Sequence, residues 1–140
     1  MTNITLEFNH RYEDAVPEDA VFPGIYVVYA YNGNRASPTW VLLDIGQADD
    51  IYHRHLSHER RPRWLEYAHE HNMRLIIYAT RITNENNHRS IAEAALLFRF
   101  QPLIPADGRS GYHYGDVTIT VTGNLQNAFG TFVLHNTDPN

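Results

Sequence analysis

The sequence predicts an α+β domain, in which a small and mainly antiparallel sheet is flanked by helices and followed by an extra C-terminal β-hairpin. Two runs rich in β-branched and aromatic residues, 24–31 and 39–45, enclose an Asn-Gly dipeptide that is typical of hairpins. Later segments show the apolar spacing of helices, and two alternating runs stand near the C-terminus. The chain has 140 residues, which suits one domain with one core.

The first half of the chain is predicted to hold three strands and a helix. Alternating apolar and polar residues at 4–9 indicate a half-buried strand. The polar, acidic segment 11–23 contains two prolines and is interpreted as a loop or a broken helical turn. After the hairpin strands 24–31 and 39–45, segment 48–57 has one apolar side and is predicted to be a helix.

Two helices with a strand between them are predicted next. A proline in the first turn suits a helix over 62–71, and the apolar run 73–81 indicates a strand. A second helix is predicted over 88–99, with Asn86 or Asn87 as its N-cap. Proline soon after this segment ends the helix.

The C-terminal part is predicted to form a β-hairpin. The runs 116–122 and 129–134 alternate in polarity and are separated by the turn-forming sequence GNLQN. No internal repeat or low-complexity segment divides the chain. We therefore expect residues 1–140 to form a single domain.

The composition favours a protein of the cytoplasm. The chain contains no cysteine, which excludes disulfides and thiolate metal sites. No run approaches the roughly 18 apolar residues that a membrane helix needs. The N-terminal residues lack the basic and apolar regions of a signal peptide. We expect a cytoplasmic protein that has no membrane partner.

The charges are distributed unevenly. The net charge of −5 has the wrong sign for a protein held to nucleic acid by bulk charge. All 11 basic residues are arginine, and four of them fall within 53–63, where only Glu59 opposes them. A local basic patch can bind phosphate even on an acidic protein. We expect the nucleic-acid-binding residues to be Arg60, Arg61, Arg63 and His53.

Four polar side chains are spaced so that a site for phosphodiester cleavage can form. This reaction needs an activated water, a cation near the phosphate, and a metal or acid for the leaving oxygen. Tyr26 lies on the first hairpin strand, and Arg54 and His58 share one face of a predicted helix. Glu93 lies on the last predicted helix, four residues after Arg89. The hairpin and both helices must converge for these residues to share a cleft.

Two short motifs resemble those of the GIY-YIG nuclease superfamily. The sequence GIY at 24–26 is followed, twenty residues later, by DIG at 44–46. Arg54 stands eight residues after the second motif, which is the spacing of the family's helix arginine. The segment 89–97, RSIAEAALL, is similar to the helix that carries the family's metal-binding glutamate. The four elements occur in the family's order, which makes the resemblance fairly specific.

The resemblance implies a role for each of these residues. Tyr26 is expected to take a proton from the attacking water. Arg54 is expected to hold the scissile phosphate and to offset the charge that develops in the transition state. Glu93 is expected to bind a single Mg²⁺ or Mn²⁺, ions that prefer oxygen ligands. His58 is expected to polarise a phosphate oxygen or to assist proton movement.

The sequence departs from the family pattern at three places. Asp44 replaces the first tyrosine of the second motif, and its carboxylate would repel phosphate or orient water or Tyr26; a prokaryotic branch with a DIG form is similar. An asparagine that many members carry after the last helix is missing, and Asn124 or Asn127 are candidate replacements. His53 stands where some members have a lysine. Asp44 is included among the candidate catalytic residues.

Simpler interpretations exist for the same residues. Gly24 and Gly46 are predicted motif residues, but single glycines are most often turn residues. Glu93 and Arg89 are spaced to form an ordinary helical ion pair, with Arg89 alternatively orienting a metal ligand. A zinc site would need a third ligand beside the histidines of segment 53–58.

The predicted function is that of a metal-dependent DNA endonuclease, with the resemblance covering residues 22–105 and a C-terminal β extension at 106–140. RNA stays open as a substrate. A homodimer is expected if both strands of a duplex are cut at once. The alternative function is a catalytically inactive module on the same fold that binds nucleic acid or a protein partner.

Overall fold

The computed structural model describes residues 1–34, 36–104, 110–123, 125–126 and 129–137. The strands are β1 (Thr2–Phe8), β2 (His10–Glu13), β3 (Gly24–Asn32), β4 (Thr39–Ala48), β5 (Arg74–Arg81), β6 (Val117–Gly123) and β7 (Thr131–Leu134). The helices are α1 (Ile51–Leu56), α2 (Arg61–Glu70) and α3 (His88–Phe100), with a 3₁₀ turn at Glu85–Asn87. The predicted α+β class is confirmed.

The strands form two sheets, so the prediction of one sheet is wrong. The larger sheet has the order β2-β5-β3-β4 and is antiparallel at every pairing. The smaller sheet has the order β1-β6-β7. In it β1 runs parallel to β6, while β6 and β7 form the predicted C-terminal hairpin. The hairpin therefore packs with the N-terminal strand and is not a separate appendage.

Strand β2 falls in the segment that was predicted to be a loop. Its sequence HRYE has no apolar alternation, and its residues are exposed or half-buried because β2 is an edge strand of the larger sheet. Backbone pairing with β5 holds it, from His10 opposite Ala79 to Glu13 opposite Ile76. An edge strand needs only one partner and little apolar burial, which is why the polarity pattern missed it.

The larger sheet is covered on both faces. One face, which includes Ile25, Val27 and Ile45, packs against α3 and the smaller sheet. The opposite face, which includes Tyr26 and Val28, packs against α1 and α2. Consecutive residues of β3 thus contribute to two different cores, as the alternation of a strand requires. Helices that carry candidate site residues therefore lie on opposite faces of β3 and β4.

The helix ends differ in detail from the predictions. Helix α1 is shorter than predicted and begins after Asp50, whose carboxylate accepts a hydrogen bond from the His53 amide at 3.0 Å. Neither Asn86 nor Asn87 caps α3 with its side chain; Asn84 does so by accepting from the Ser90 amide at 3.0 Å. In the described part of the chain, none of the helices is long and apolar enough to span a membrane.

Candidate active site

Three of the predicted catalytic residues line one cavity. Tyr26 from β3, Arg54 from α1 and Glu93 from α3 converge on a pocket of about 190 Å³. Its other lining residues are Ile45, Gln47, Arg60 and Leu97. Strand β4 is the edge of its sheet, so side chains from helices on both faces meet beside it. The hairpin, the first helix and the last helix therefore converge, as the predicted site requires.

The two motif glycines lie in strands and not in turns. Gly46 is directly opposite Tyr26 in the β3–β4 pairing. A Cβ atom at Gly46 would overlap the Tyr26 hydroxyl, and one at Gly24 would overlap the carbonyl oxygen of Thr80. The interpretation as turn residues is wrong, because close approach by the tyrosine ring and by neighbouring backbone requires glycine here.

His58 holds the hydroxyl of Tyr26. Its Nε2 atom lies 2.6 Å from the Tyr26 Oη atom, and its Nδ1 atom accepts a hydrogen bond from the Arg60 amide at 3.1 Å. A neutral imidazole that accepts at Nδ1 carries its proton on Nε2, so His58 donates to Tyr26. The His58 side chain is fully buried, so it does not reach a phosphate in the pocket. Of its two predicted roles, only assistance to proton movement fits this position.

Burial sets the protonation states of this pair. It raises the pKa of the Tyr26 hydroxyl, Asp44 and Glu93 add to that rise, and Arg54 and Arg60 oppose it. Burial, with the charges of Arg54 and Arg60, lowers the pKa of His58 to about 3. At neutral pH the pair is therefore a phenol and a neutral imidazole.

His55 is a buried imidazole beside the pair. Its ring meets the Tyr26 ring edge-on, with centroids 4.4 Å apart, and within the described residues neither of its nitrogens has a hydrogen-bond partner. Burial lowers its pKa to about 4. The described residues also contain no group of three or more His, Cys, Asp or Glu side chains placed to hold a metal. The zinc alternative for segment 53–58 is left without support.

His55→Phe is expected to flatten the acid dependence of stability. The pKa of this imidazole is 6.5 in the unfolded chain, its ordinary value, and about 4 in the folded protein. Between these values the unfolded chain binds more protons, so stability falls as pH falls through this window. The wild type should lose up to about 2 kcal/mol more than the variant between about pH 7 and about pH 5. Urea unfolding at both pH values measures this difference in the free energy of unfolding. The control variant His69→Phe, at an exposed position, should keep the pH dependence of the wild type. The same pH dependence in His55→Phe as in the wild type would contradict the role given to His55.

Arg54 is paired with a carboxylate from the turn that follows its own helix. Its Nη1 and Nη2 atoms donate to the two carboxylate oxygens of Glu59, each at 2.8 Å. This is the two-point geometry in which a guanidinium binds a carboxylate or a phosphate. The Arg54 side chain is 30% exposed, so its cationic end borders both the pocket and solvent.

Asp44 is buried and holds Arg60. Its Oδ2 atom accepts from Arg60 Nε at 2.6 Å and from the Trp64 indole at 2.9 Å, and its Oδ1 atom accepts from the Ile45 amide at 2.8 Å. Burial raises the pKa of the Asp44 carboxyl, and these donors oppose the rise. The Asp44 side chain has no exposed surface, so it does not contact a substrate directly as a catalytic residue would. It instead fixes Arg60 at the pocket wall.

Glu93 does not form the predicted ion pair with Arg89. Arg89 donates to Gln47 Oε1 at 2.8 Å and to Asp49 Oδ1 at 2.6 Å. Gln47 Nε2 in turn lies 3.4 Å from Glu93 Oε1. Arg89 thus orients Gln47, which contacts the glutamate. Burial raises the pKa of Glu93, and the Gln47 hydrogen bond opposes the rise.

The carboxylate of Glu93 fits a hard divalent cation. It is half-buried in the pocket and, within the described ranges, has no ion pair with an arginine. Because these residues offer no cluster of three ligands, a cation here would take its other ligands from water and phosphate oxygens. Magnesium sites in proteins are commonly of this kind.

The predicted nucleic-acid-binding residues have different neighbours. Arg60 lines the pocket, whereas Arg61 donates to the Asp14 carbonyl at 2.8 Å. Arg63 lines a separate groove with residues of α2 and the segment after α3. His53 is exposed on α1 and lies 2.9 Å from Asp50. Asn124 and Asn127, the candidate replacements for the missing asparagine, lie outside the described residues.

Sequence reasoning did not assign a site role to Gln47 or Glu59. Gln47 follows the second motif directly. Because side chains alternate along a strand, Ile45 and Gln47 lie on the same face, and this signal could have assigned Gln47 to the site. Glu59 was recognised only as the one acid within the basic segment. Comparison with protein-family models, with curated proteins and with solved structures found no match for this chain.

Proposed function

We propose that this protein is a metal-dependent endonuclease that hydrolyses phosphodiester bonds in DNA, on a domain resembling the GIY-YIG nucleases. The observation that carries the proposal is the convergence of Tyr26, Arg54 and Glu93 on one pocket. These residues are far apart in sequence and supply a proton acceptor, a cation and an oxygen ligand, the groups that phosphodiester hydrolysis requires. RNA with the same bond is a second substrate to test.

The two pocket arginines are the proposed phosphate contacts. A phosphate in the pocket would meet both Arg54 and Arg60, since both line it. Arg60 is a fixed cation, because the buried Asp44 binds its Nε atom. Fixed positive charge stabilises a developing phosphorane without reorganisation. Asp44 is therefore proposed as a positioning residue.

Tyr26 is the proposed general base. Tyr26 is a phenol at rest, so its hydroxyl must first release its proton to solvent in the pocket. The resulting phenolate accepts the proton of the attacking water, and the Nε2–H group of His58 stabilises the phenolate by donating to it. Arg54 and Arg60 also favour the phenolate, whereas the negative charge of Glu93 opposes it. Glu93 would hold a Mg²⁺ or Mn²⁺, which would supply positive charge near the phosphate oxygens and offset the negative charge of Glu93.

Plasmid nicking tests the proposal. Wild-type protein is incubated with supercoiled DNA and Mg²⁺, Mn²⁺ or EDTA, and a labelled RNA is run in parallel. We expect nicking with either metal and none with EDTA. Arg54→Ala should nick about 10²- to 10³-fold more slowly, as when a transition-state donor is removed.

Arg99→Ala is the matched control. It removes the same charge from an exposed position of α3 that does not line the pocket. Its nicking rate should stay close to that of the wild type. Equal losses of nicking rate in both variants would show that Arg54 acts only by attracting DNA through its charge. Metal-independent DNA binding without cleavage would instead support the alternative function, a non-catalytic nucleic-acid-binding module.

A further inference from the structure

Both pocket arginines bind the same carboxylate. Arg54 donates to the two oxygens of Glu59 at 2.8 Å each, and Arg60 Nη1 donates to Glu59 Oε1 at 3.2 Å. A carboxylate held by two guanidinium groups presents two oxygens much as a phosphate does. Glu59 therefore places an oxyanion of the chain's own at the cations proposed to hold the substrate.

The three side chains are not equally fixed. Arg60 is anchored by the buried Asp44, and its side chain is only 19% exposed. Glu59 lies in the turn between α1 and α2, and its side chain is 62% exposed. If the contacts break, the Glu59 carboxylate moves into water with little change in its solvation, because it is already mostly exposed. Arg60 stays at the pocket wall. The carboxylate is the part of the cluster that can leave.

We propose that Glu59 is a gate residue, whose carboxylate occupies the oxyanion position of Arg54 and Arg60 until a substrate phosphate displaces it. The inference rests on the proposed function for its choice of phosphate as the displacing ligand. An isolated phosphate must displace the Glu59 carboxylate through its contacts with Arg54 and Arg60 alone. A nucleic-acid strand adds contacts from its neighbouring phosphates, so the gate favours polyanionic strands over free phosphate.

Displacement by an anion, and not a change of pH, opens this gate. Arg54 lowers the pKa of the Glu59 carboxyl to about 2, so the carboxylate is ionised throughout the neutral range. Arg54 and Arg60 stay charged as well. The balance between closed and open forms therefore depends on the concentration and charge of competing oxyanions.

Glu59→Gln tests the gate without any need for cleavage. Thermal melting at rising inorganic phosphate measures oxyanion binding, and fluorescence anisotropy of a labelled DNA duplex in EDTA measures strand binding. Glu59→Gln should bind both ligands about three- to tenfold more tightly than the wild type, since the competing anion is gone. The added double variant Arg54→Ala/Glu59→Gln should lose this gain.

Glu66→Gln is the matched control, because it removes one negative charge from an exposed site on α2 that is not bonded to Arg54 or Arg60. Equal gains in both single variants, or no gain in Glu59→Gln, would overturn the gate. Tighter phosphate binding by Glu59→Gln without any DNA cleavage by the wild type would keep the gate and reject the nuclease. A melting scan of each variant without ligand confirms folding, and Glu59→Ala replaces Glu59→Gln if that variant is unfolded.

Discussion

Glu93→Gln is expected to lower the rate of metal-dependent plasmid nicking by about three orders of magnitude. A metal's stabilisation of transition-state charge is worth several kcal/mol, and each 1.4 kcal/mol or so changes a rate tenfold. Glutamine keeps the size of the side chain and removes its charge, so packing beside Gln47 and Leu97 is retained. Initial nicking rates at saturating Mg²⁺ give the ratio.

A second variant separates metal binding from packing. Gln47→Ala removes the side chain that lies 3.4 Å from Glu93 Oε1 and that Arg89 holds. Loss of a group that orients a metal ligand typically lowers activity about 10- to 100-fold. The nicking rate of Gln47→Ala should therefore fall less than that of Glu93→Gln, and a raised Mn²⁺ concentration should partly restore it. A Glu93→Gln enzyme that retains a tenth or more of the wild-type rate would reject Glu93 as the metal ligand.

Asp44→Ala is expected to destabilise the fold by about 3–5 kcal/mol. The change removes the buried partner of Arg60 Nε, so that Arg60 keeps only its contact with the exposed Glu59, and it leaves the Trp64 indole without its acceptor. Breaking one side of a buried ion pair costs more than the pair contributes, because the remaining charge is left desolvated. Urea unfolding monitored by circular dichroism measures the loss. Arg60 is also freed from its position, so nicking should fall further than the folded fraction does.

Glu13→Ala provides the comparison. Its carboxylate lies 2.8 Å from Arg74 Nη2, and the Arg74 and Glu13 side chains are 53% and 46% exposed. An exposed ion pair contributes about 0–1 kcal/mol, so this variant should unfold close to the wild type. Similar losses in the two variants would show that burial is not what makes Asp44 important.

The local elements of the fold could be predicted from the sequence because their signals are local. The Asn-Gly hairpin, the helices over 62–71 and 88–99 and the C-terminal hairpin each depend on spacing within a dozen residues. The division into two sheets depends on which strands pair across the chain. Alternation at residues 4–9 indicates a strand but does not name its partner, and β1 pairs with β6 rather than with the larger sheet.

The candidate site was predictable in its members but not in their contacts. Tyr26, Arg54 and Glu93 were assigned from motif order, and the structure brings them together. Spacing along the helix suggests that Arg89 pairs with Glu93. Arg89 instead binds Gln47 and Asp49, which come from a distant part of the chain and are not visible in the helix pattern. The sequence places Asp44 in a catalytic motif but does not show that it is buried. Its burial depends on how α2 packs over β4.

The parallel pairing of β1 with β6 also affects how the chain folds. Thr2 pairs with Val117 and Phe8 with Gly123, so among the strand pairings of the described residues this one joins the segments that lie farthest apart in the sequence. Contacts between such distant residues form slowly, because loop closure costs entropy before the contact repays it. On the ribosome, the apolar face of β3 stays uncovered by this sheet until residue 123 has been made. Until then that apolar surface is available for aggregation.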